Sequence, residues 1–542
     1  MHLKTRFSAG PATLAAVALL VSLFGSGRVV SASEQTAASP TQVPAGTVPA
    51  AAPQGGPVIR LSSDEAVRMA LENNLGIQAE RLGPEISTLA IAQAHAAYAP
   101  TFVSTTNTRS STQPPTSFLL GGGAAQIITN ESFRATGGLA QNIPWGGGRY
   151  EFSLDGSRTR TNAFSSYNPQ LGSNLSVSFA QPLLRDFKMD ALRQQLLTSR
   201  NNQVVADLQL REQITVVSQA VRSAYFDLLG AMEGYKVARQ SLDLALDSLR
   251  NNERRVEVGT MAPIDIIEAE AEVASNEEAV INAEARIRTV EDRLRALILN
   301  PNQADFWSVR LEPTEAPTVL PLALDVEAAI ANALANRTDL ARARKALDNV
   351  EVGLRYAENQ RLPGLDLLAS YNVIGLAGTQ IRYRDGGGFP PPIESMSQRS
   401  FSAALRDVFG QQFRTWSVGL QFSYPLGTST AEAAAASARL QRQQGTANLR
   451  DLELQVATAV RDAARQVGTN LKRVEATAKA RDRAERRLEA EQKRQAVGLS
   501  TTFQLFQAQR DLARQRQQEV NAIIDYNRSL VTFEAIQLAP VR

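Results

Sequence analysis

Residues 183–262 run for eighty positions without a proline, and their apolar side chains fall in a regular beat. Tyr225, Leu228, Met232, Tyr235, Leu242, Leu246, Leu249 and Val256 recur at spacings of three, four or seven. That spacing predicts an amphipathic helix with a narrow apolar stripe, the seam a coiled-coil neighbour would occupy. At ~1.5 Å per residue, a helix of about 65 residues would be roughly 100 Å long. Ordinary globular helices end after three or four turns, so a rod of this length is built to cross a distance. A second proline-free stretch, 426–539, predicts a second rod in the C-terminal half.

The helical period also covers 61–99. Ser62 or Ser63 is placed to cap it, and Asp64 and Glu65 fall in the first turn, where the helix dipole favours them. Gly83-Pro84 should break or kink this helix and Pro100 should end it. Beyond Pro100 the period becomes two. Residues 101–108, 150–158 and 174–180 are β-prone and polar, and Pro182 closes the region. Segments 133–143 and 148–158 flank Trp145-Gly146-Gly147-Gly148 and predict an extra hairpin whose place the sequence leaves open.

The same order then returns. Ala70-Leu71-Glu72-Asn73 matches Ala333-Leu334-Ala335-Asn336, and Pro100 matches Pro363, both 263 residues on. Val221-Arg222 and Val258-Gly259 match Val460-Arg461 and Val497-Gly498, both 239 residues on. Constant offsets along the helices, with the length difference confined to the strands, identify an internal duplication. Strands 365–376 and 416–424 of the second copy flank a loop containing Gly386-Gly387-Gly388-Phe389-Pro390-Pro391-Pro392. The expected organisation is a first repeat over 59–300 with strands in 101–182, a proline-rich joining segment over 301–321, and a second repeat over 322–542 with strands in 364–425.

Composition alters the picture at the N-terminus. His2, Lys4 and Arg6 precede an apolar run over 12–24, too short to span comfortably, and Val30-Ser31-Ala32 offers small residues for cleavage. This predicts a signal peptide over 1–32, a single membrane anchor being the alternative, followed by a disordered Ala/Pro-rich linker over 33–58. There is no cysteine, which excludes disulfides, thiol chemistry and lipidation of a processed N-terminal cysteine. The formal charge of +3 comes from Lys4, Arg6 and Arg28, so the exported chain is neutral and gives no reason to expect nucleic acid.

Downstream of that run no apolar stretch is long enough for a transmembrane helix. Membrane entry would have to use strands of ~9–11 residues alternating between lipid and lumen. Leu175-Ser176-Val177-Ser178-Phe179 and Val418-Gly419-Leu420-Gln421-Phe422-Ser423-Tyr424 alternate this way, with aromatic residues for an interfacial belt. A sheet in lipid cannot leave an edge, and about four strands per chain cannot close alone, so the chain must oligomerise. A trimer would supply twelve strands.

The duplicated helix–hairpin–long helix order, the boundaries at Pro100/Pro363 and Pro182/Pro425, and the two Val-Gly reversals resemble the TolC-type outer-membrane efflux family. The resemblance covers about residues 59–540 and is most specific at Phe179-Ala180-Gln181-Pro182-Leu183-Leu184 and at the reversals. It implies an α+β membrane protein: a homotrimer whose twelve-stranded outer-membrane β-barrel continues into a long α-helical coiled-coil barrel in the periplasm. It further implies a periplasmic adaptor (membrane fusion) protein and an inner-membrane transporter as partners, in an efflux pump or a type I secretion system. Val258, Gly259 and Thr260, with Val497, Gly498, Leu499 and Ser500, would be the adaptor-docking turns, the alternative being plain helix C-caps. Asp265 and Glu268 would line a constriction of the resting tunnel, with Gln504 and Gln507 at the equivalent points of the second copy; the alternative is a solvated helix face.

Other residue patterns carry no chemistry. His95 lacks partner ligands and reads as structural, and the glycine clusters at 121–123, 146–148 and 386–388 fit no phosphate-binding pattern. The run 481–494 interleaves arginines with Asp482, Glu485, Glu489 and Glu491 and predicts a salt-bridged helix face. With no catalytic constellation, metal cluster or cofactor motif, a passive duct is expected and an exported enzyme is not. A surface protein with a coiled-coil stalk is the competing reading, although a stalk has no need of matching hairpins in both halves.

Overall fold

In the computed structural model, residues 57–115, 127–319, 321, 323–386, 391–427 and 429–540 are described. The expected signal peptide, most of the linker behind it and two glycines of the 386–388 cluster lie outside them, as does the cluster at 121–123. Strand β1 (Val58–Leu61) leads into helices α1 (Ser63–Asn73) and α2 (Leu75–Ala96). Strands β2 (Thr101–Gln113), β3 (Ile128–Asn142), β4 (Arg149–Thr161) and β5 (Tyr167–Pro182) follow. The chain then runs into the rod α3 (Ala191–Glu257) and returns along α4 (Ile264–Ile298). After β6 (Arg310–Pro313) the plan repeats with α5 (Val326–Asn336), α6 (Thr338–Gln360) and β7 (Gly364–Tyr383). It ends with β8 (Ile393–Arg399), α7 (Phe401–Phe409), β9 (Phe413–Ser423), the second rod α8 (Thr430–Ala496) and α9 (Thr502–Ala535).

The duplication is visible in lengths and in bonds. Both rods have 67 residues, α1 and α5 have 11 each, and α4 and α9 have 35 and 34. Asp190 caps α3 and Ser429 caps α8, each accepting a backbone N–H of its first turn. Arg222 on the first rod pairs with Asp64 at 3.1 Å, and Arg461 on the second pairs with Glu327 at 3.0 Å. Both members of the second pair sit at the offsets the sequence repeat predicts. The Asn74 side chain donates to the Leu297 carbonyl at 3.1 Å, and Arg337 donates to the Ile536 carbonyl at 2.8 Å. One tie, made by different chemistry, thus holds the end of each returning helix.

Two details correct the sequence reading. The first helix does not break at Gly83-Pro84; α2 runs through Pro84, and the break falls at Asn74. There the side chain accepts from the Gly76 and Ile77 N–H groups and starts a new helix, while packing of α2 along α3 offsets the proline's cost of about 3 kcal/mol. Ser62 is the N-cap of α1; its N–H and hydroxyl bond to Glu65 and hold that carboxyl below its usual range. The segment joining the repeats also does more than tether them. Its β6 pairs in parallel with β1, and Phe306, Val309 and Leu311 enter the core built around Val221, Tyr225 and Leu228. Desolvation there pushes the Tyr225 hydroxyl above its usual pKa.

The β region differs from the expected four strands. Among the described residues seven strands form one antiparallel sheet in the order β2-β3-β4-β5-β7, with β9 and β8 in turn along the far side of β7. The extra hairpin β3–β4 therefore lies in the sheet itself, between β2 and β5, and the protomer fills six strand positions. Neighbouring partners share a face, and the two faces differ in chemistry. Phe102, Leu139, Phe152, Val177, Tyr371 and Trp416 form one row across all six positions. The adjacent row on the opposite face is Thr101, Ala140, Glu151, Ser178, Ser370 and Ser417.

Helix α7, which the hydrophobic pattern did not reveal in so short a stretch, leaves the line of β8 and β9 and lies over the apolar face. It can do so because β4 and β7 present glycines beneath it. A side chain at Gly156 would meet the Phe401 ring at 2.9 Å, and one at Gly375 would be driven into the Ala404 carbonyl. Asp407, buried under the helix, accepts two hydrogen bonds from Arg399 at 3.0 Å. Gly375→Val is accordingly expected to dislodge α7, overpacking of this kind costing about 1–3 kcal/mol. Trypsin cleavage after Arg406 in the detergent-solubilised protein should accelerate; unchanged protection would show that the helix is held by something other than this contact.

Candidate docking tip and tunnel entrance

The functional candidates gather where each rod reverses. At the end of α3 the Gly259 N–H bonds to the Val256 carbonyl at 2.9 Å and the Thr260 N–H to the Arg255 carbonyl at 2.8 Å. At the end of α8 Gly498 bonds to Gln495 at 3.1 Å and Leu499 to Arg494 at 2.9 Å. Both are Schellman caps, which need a left-handed residue just past the helix. Gly259 and Gly498 supply it, with φ of +76° and +77°. A side chain at either glycine would meet no atom within 4 Å, so only the backbone conformation demands glycine here.

Cap geometry alone would not make the tips candidates; the exposed apolar side chains around it do. Val258, Val497 and Leu499 are 71%, 69% and 78% exposed. Ile264, Ile267 and Phe503, at the starts of the returning helices, are more than half exposed as well. The sequence reading did not single out these last three. What distinguishes them is that they fall off the face on which Ala269, Val273, Leu505 and Ala508 are buried.

Asp265 and Glu268 lie in the first turns of α4, half-buried and exposed respectively. An acid at Asp265 also complements the helix N-terminus, where Pro263 offers no side-chain cap. Gln504 is already engaged: with Thr501 it forms a capping box, its carbonyl accepting from the Thr501 N–H at 3.3 Å and the Ser500 hydroxyl at 3.0 Å. Gln507 is exposed one turn on. Glu272, on the same side of α4 as Asp265 and Glu268, is buried and has Arg510 of α9 at 3.8 Å. Arg510 thus brings a positive charge beside the acidic stripe, and sequence offsets alone gave no hint of it.

Elsewhere the 481–494 segment forms the expected ion-paired face. Arg487 meets Asp511 at 2.9 Å, Arg516 meets Glu485 at 2.7 Å, and the Lys493 hydrogen bond lowers the pKa of Glu489. His95 is exposed near the end of α2. Among the described residues no cluster of His, Asp or Glu could hold a metal ion, and no helix is long and apolar enough to cross a membrane.

This architecture is that of an efflux channel. The chain belongs to the outer membrane efflux protein family, whose model matches residues 66–298 and 329–536, one block in each repeat. Its fold is shared with the Campylobacter jejuni CmeC outer membrane channel, with a TM-score of 0.62 at 14% identity over 88% of this chain and 85% of that one. The Vibrio cholerae outer membrane protein VceC superposes with a TM-score of 0.60 at 15% identity, over 88% and 96% of the two chains. The Neisseria gonorrhoeae MtrE outer membrane channel, solved in its open state, gives 0.58 at 16%, over 88% and 90%. A search of curated proteins by sequence gives no match. As a member of this family the chain is an outer-membrane exit duct for efflux, a passive channel and not an enzyme, and the stalk reading is not favoured.

Proposed function

We propose that three copies of this chain, delivered across the inner membrane by the N-terminal export sequence, close a β-barrel in the outer membrane that continues into a helical tunnel. A periplasmic adaptor docks on the tips, and an inner-membrane transporter supplies the cargo to a tripartite pump or a type I secretion system. The observation that carries the reading is the two-faced sheet with an unpaired strand at each edge. Such a sheet is stable in lipid only when other copies complete it. The helices point the same way, since α4 and α8 each lack a neighbour on one flank among the described elements.

The exposed apolar side chains around two identically built caps support docking there. Replacing both tip glycines, Gly259→Val with Gly498→Val, costs roughly 1–2 kcal/mol of local strain at each turn and touches nothing else. Efflux should be abolished while mass measurement in detergent still gives three chains per particle. Normal efflux in the double variant would remove the docking assignment, and a folded, membrane-inserted monomer would remove the trimer.

The tunnel entrance is assigned to Asp265 and Glu268. Three copies facing one axis would bring up to six carboxylates together, a repulsion that bound cations relieve. Single-channel recording should show block by divalent cations that is lost in Asp265→Asn/Glu268→Gln and strengthened in Arg510→Gln, which removes the competing cation. Block that survives in the first variant would make these acids a solvated helix face.

A further inference from the structure

The number of strand positions sets the size of the mouth. We infer that the outer-membrane wall of this channel closes with eighteen strands, six from each copy, and that its mouth is built for bulky hydrated cargo. The inference rests on the trimer proposed above and adds what passes through it and which edges meet.

Three observations carry it. First, the β3–β4 hairpin is part of the wall and not an appendage. It pairs along its length with β2 on one side and β5 on the other, through thirteen residues of register with β2 and eleven with β5. Its turn is fastened beneath the start of the rod. Gln181, buried, donates to the Gly146 carbonyl at 2.6 Å, and a side chain at Gly148 would collide with the same Gln181. Gly146 and Gly147 take φ of +71° and +69° to make that turn. Second, the two faces keep their chemistry across the hairpin: Leu139 and Phe152 continue the apolar row, while Ala140 and Glu151 continue the small and polar one. A hairpin folded into the lumen or lying over the wall would have no reason to keep that alternation.

Third, the two edges suit one another. Six positions is an even number, so β2 runs away from the helices and β9 runs back towards them. Side by side in adjacent copies they are antiparallel, as every other pair in the sheet is. β2 has 13 residues and β9 has 11, with β8 continuing the same edge above it. Each edge also ends the apolar row with an exposed aromatic ring, Phe102 at 64% and Trp416 at 70%. Barrel diameter grows roughly linearly with strand number, so the wall is about 1.5 times as wide as one of twelve strands, and the opening roughly twice the area. Its lumen face is hydroxyl-, amide- and carboxylate-bearing: Thr101, Glu151, Ser153, Ser176, Asn372, Thr415. A wide, wet, polar mouth presents little barrier to large hydrated solutes and little selectivity for small ones.

The absence of native cysteine makes disulfide trapping clean. In the membrane-embedded protein Thr105→Cys/Thr136→Cys and Ser153→Cys/Ser176→Cys, which face each other across β2–β3 and β4–β5, should each close within one chain. Thr105→Cys scanned against Thr415→Cys, Ser417→Cys and Gln421→Cys should give at least one linkage between chains, seen as a covalent trimer on a non-reducing gel. Closure of Thr105→Cys with Asn174→Cys, Ser176→Cys or Ser178→Cys in one chain would put β2 against β5 and leave a twelve-strand wall. That result, failure of either hairpin pair, or no interchain linkage anywhere in the scan overturns the eighteen-strand closure. Mass in detergent reports separately: a particle of other than three chains defeats the trimer, whatever the order of strands within one copy.

Discussion

Backbone amides and carbonyls have no partner in hydrocarbon, and each one left unpaired there costs several kcal/mol. The rest of this molecule follows from that constraint. A sheet whose one face is Phe102, Leu139, Phe152, Val177, Tyr371 and Trp416 belongs against lipid, yet one copy leaves the outer edges of β2 and β9 bare. In the proposed trimer, completing the edges with further copies fixes the symmetry at the barrel end. Because the chain passes almost directly between helix and strand at the prolines at 100, 182, 363 and 425, the helices of that trimer would inherit the symmetry. The long rods are therefore organised from the sheet downwards, and their spare flanks are the helical counterpart of the bare strand edges.

Within one copy the rods are not held evenly. Around the middle of α3, Val221, Tyr225 and Leu228 are completely buried in a core that draws on α1, α4 and the segment after it. The matching core of the second repeat gathers Val456, Val460 and Tyr526. Towards the tips the seam thins to Leu242, Ala245, Val273 and Val280 in one repeat and Leu488, Leu505, Ala508 and Leu512 in the other. A helical hairpin derives most of its stability from the apolar face it buries, so the tips are the least anchored part of each rod. The entrance proposed at Asp265 and Glu268 is well placed there, because moving it would disturb the fewest contacts.

Much of this was legible in the sequence because long helices and their duplication leave a periodic signal. The proline boundaries at 100, 182, 363 and 425, the seam of α3 and the Val-Gly reversals fell where helix physics puts them, while Pro84 was absorbed inside α2. The constant offset even paired Arg222 with Arg461 before their carboxylate partners, Asp64 and Glu327, were known. The β region was less legible for a physical reason. Alternation says which face a residue takes, but not which strand lies beside it; the hairpin at 133–158 was visible while its position between β2 and β5 depended on partners distant in the chain. Helix α7 was hidden because nine residues give only about two and a half turns of pattern, and its docking depends on Gly156 and Gly375 being small. Strands β1 and β6, four residues each, were too short to show any period.

The two repeats keep their caps and ties while the chemistry beside the proposed entrance has diverged, and the divergence has a direction. In the first repeat the start of the returning helix carries Asp265, Glu268 and a buried Glu272; in the second, Gln504 has turned its side chain back to cap its own helix. A capping box satisfies backbone N–H groups that Pro263 cannot serve in the first repeat, where Asp265 offers only its charge to the helix end. The second returning helix thus starts on local side-chain hydrogen bonds, whereas the first has no side-chain cap and relies at its start on electrostatics, with Arg510 approaching Glu272 two turns on. Salt weakens the second kind of interaction far more than the first. Of the two returning helices, α4 is therefore the one whose first turn is more sensitive to ionic strength, while the backbone cap of the reversal itself is the same in both repeats.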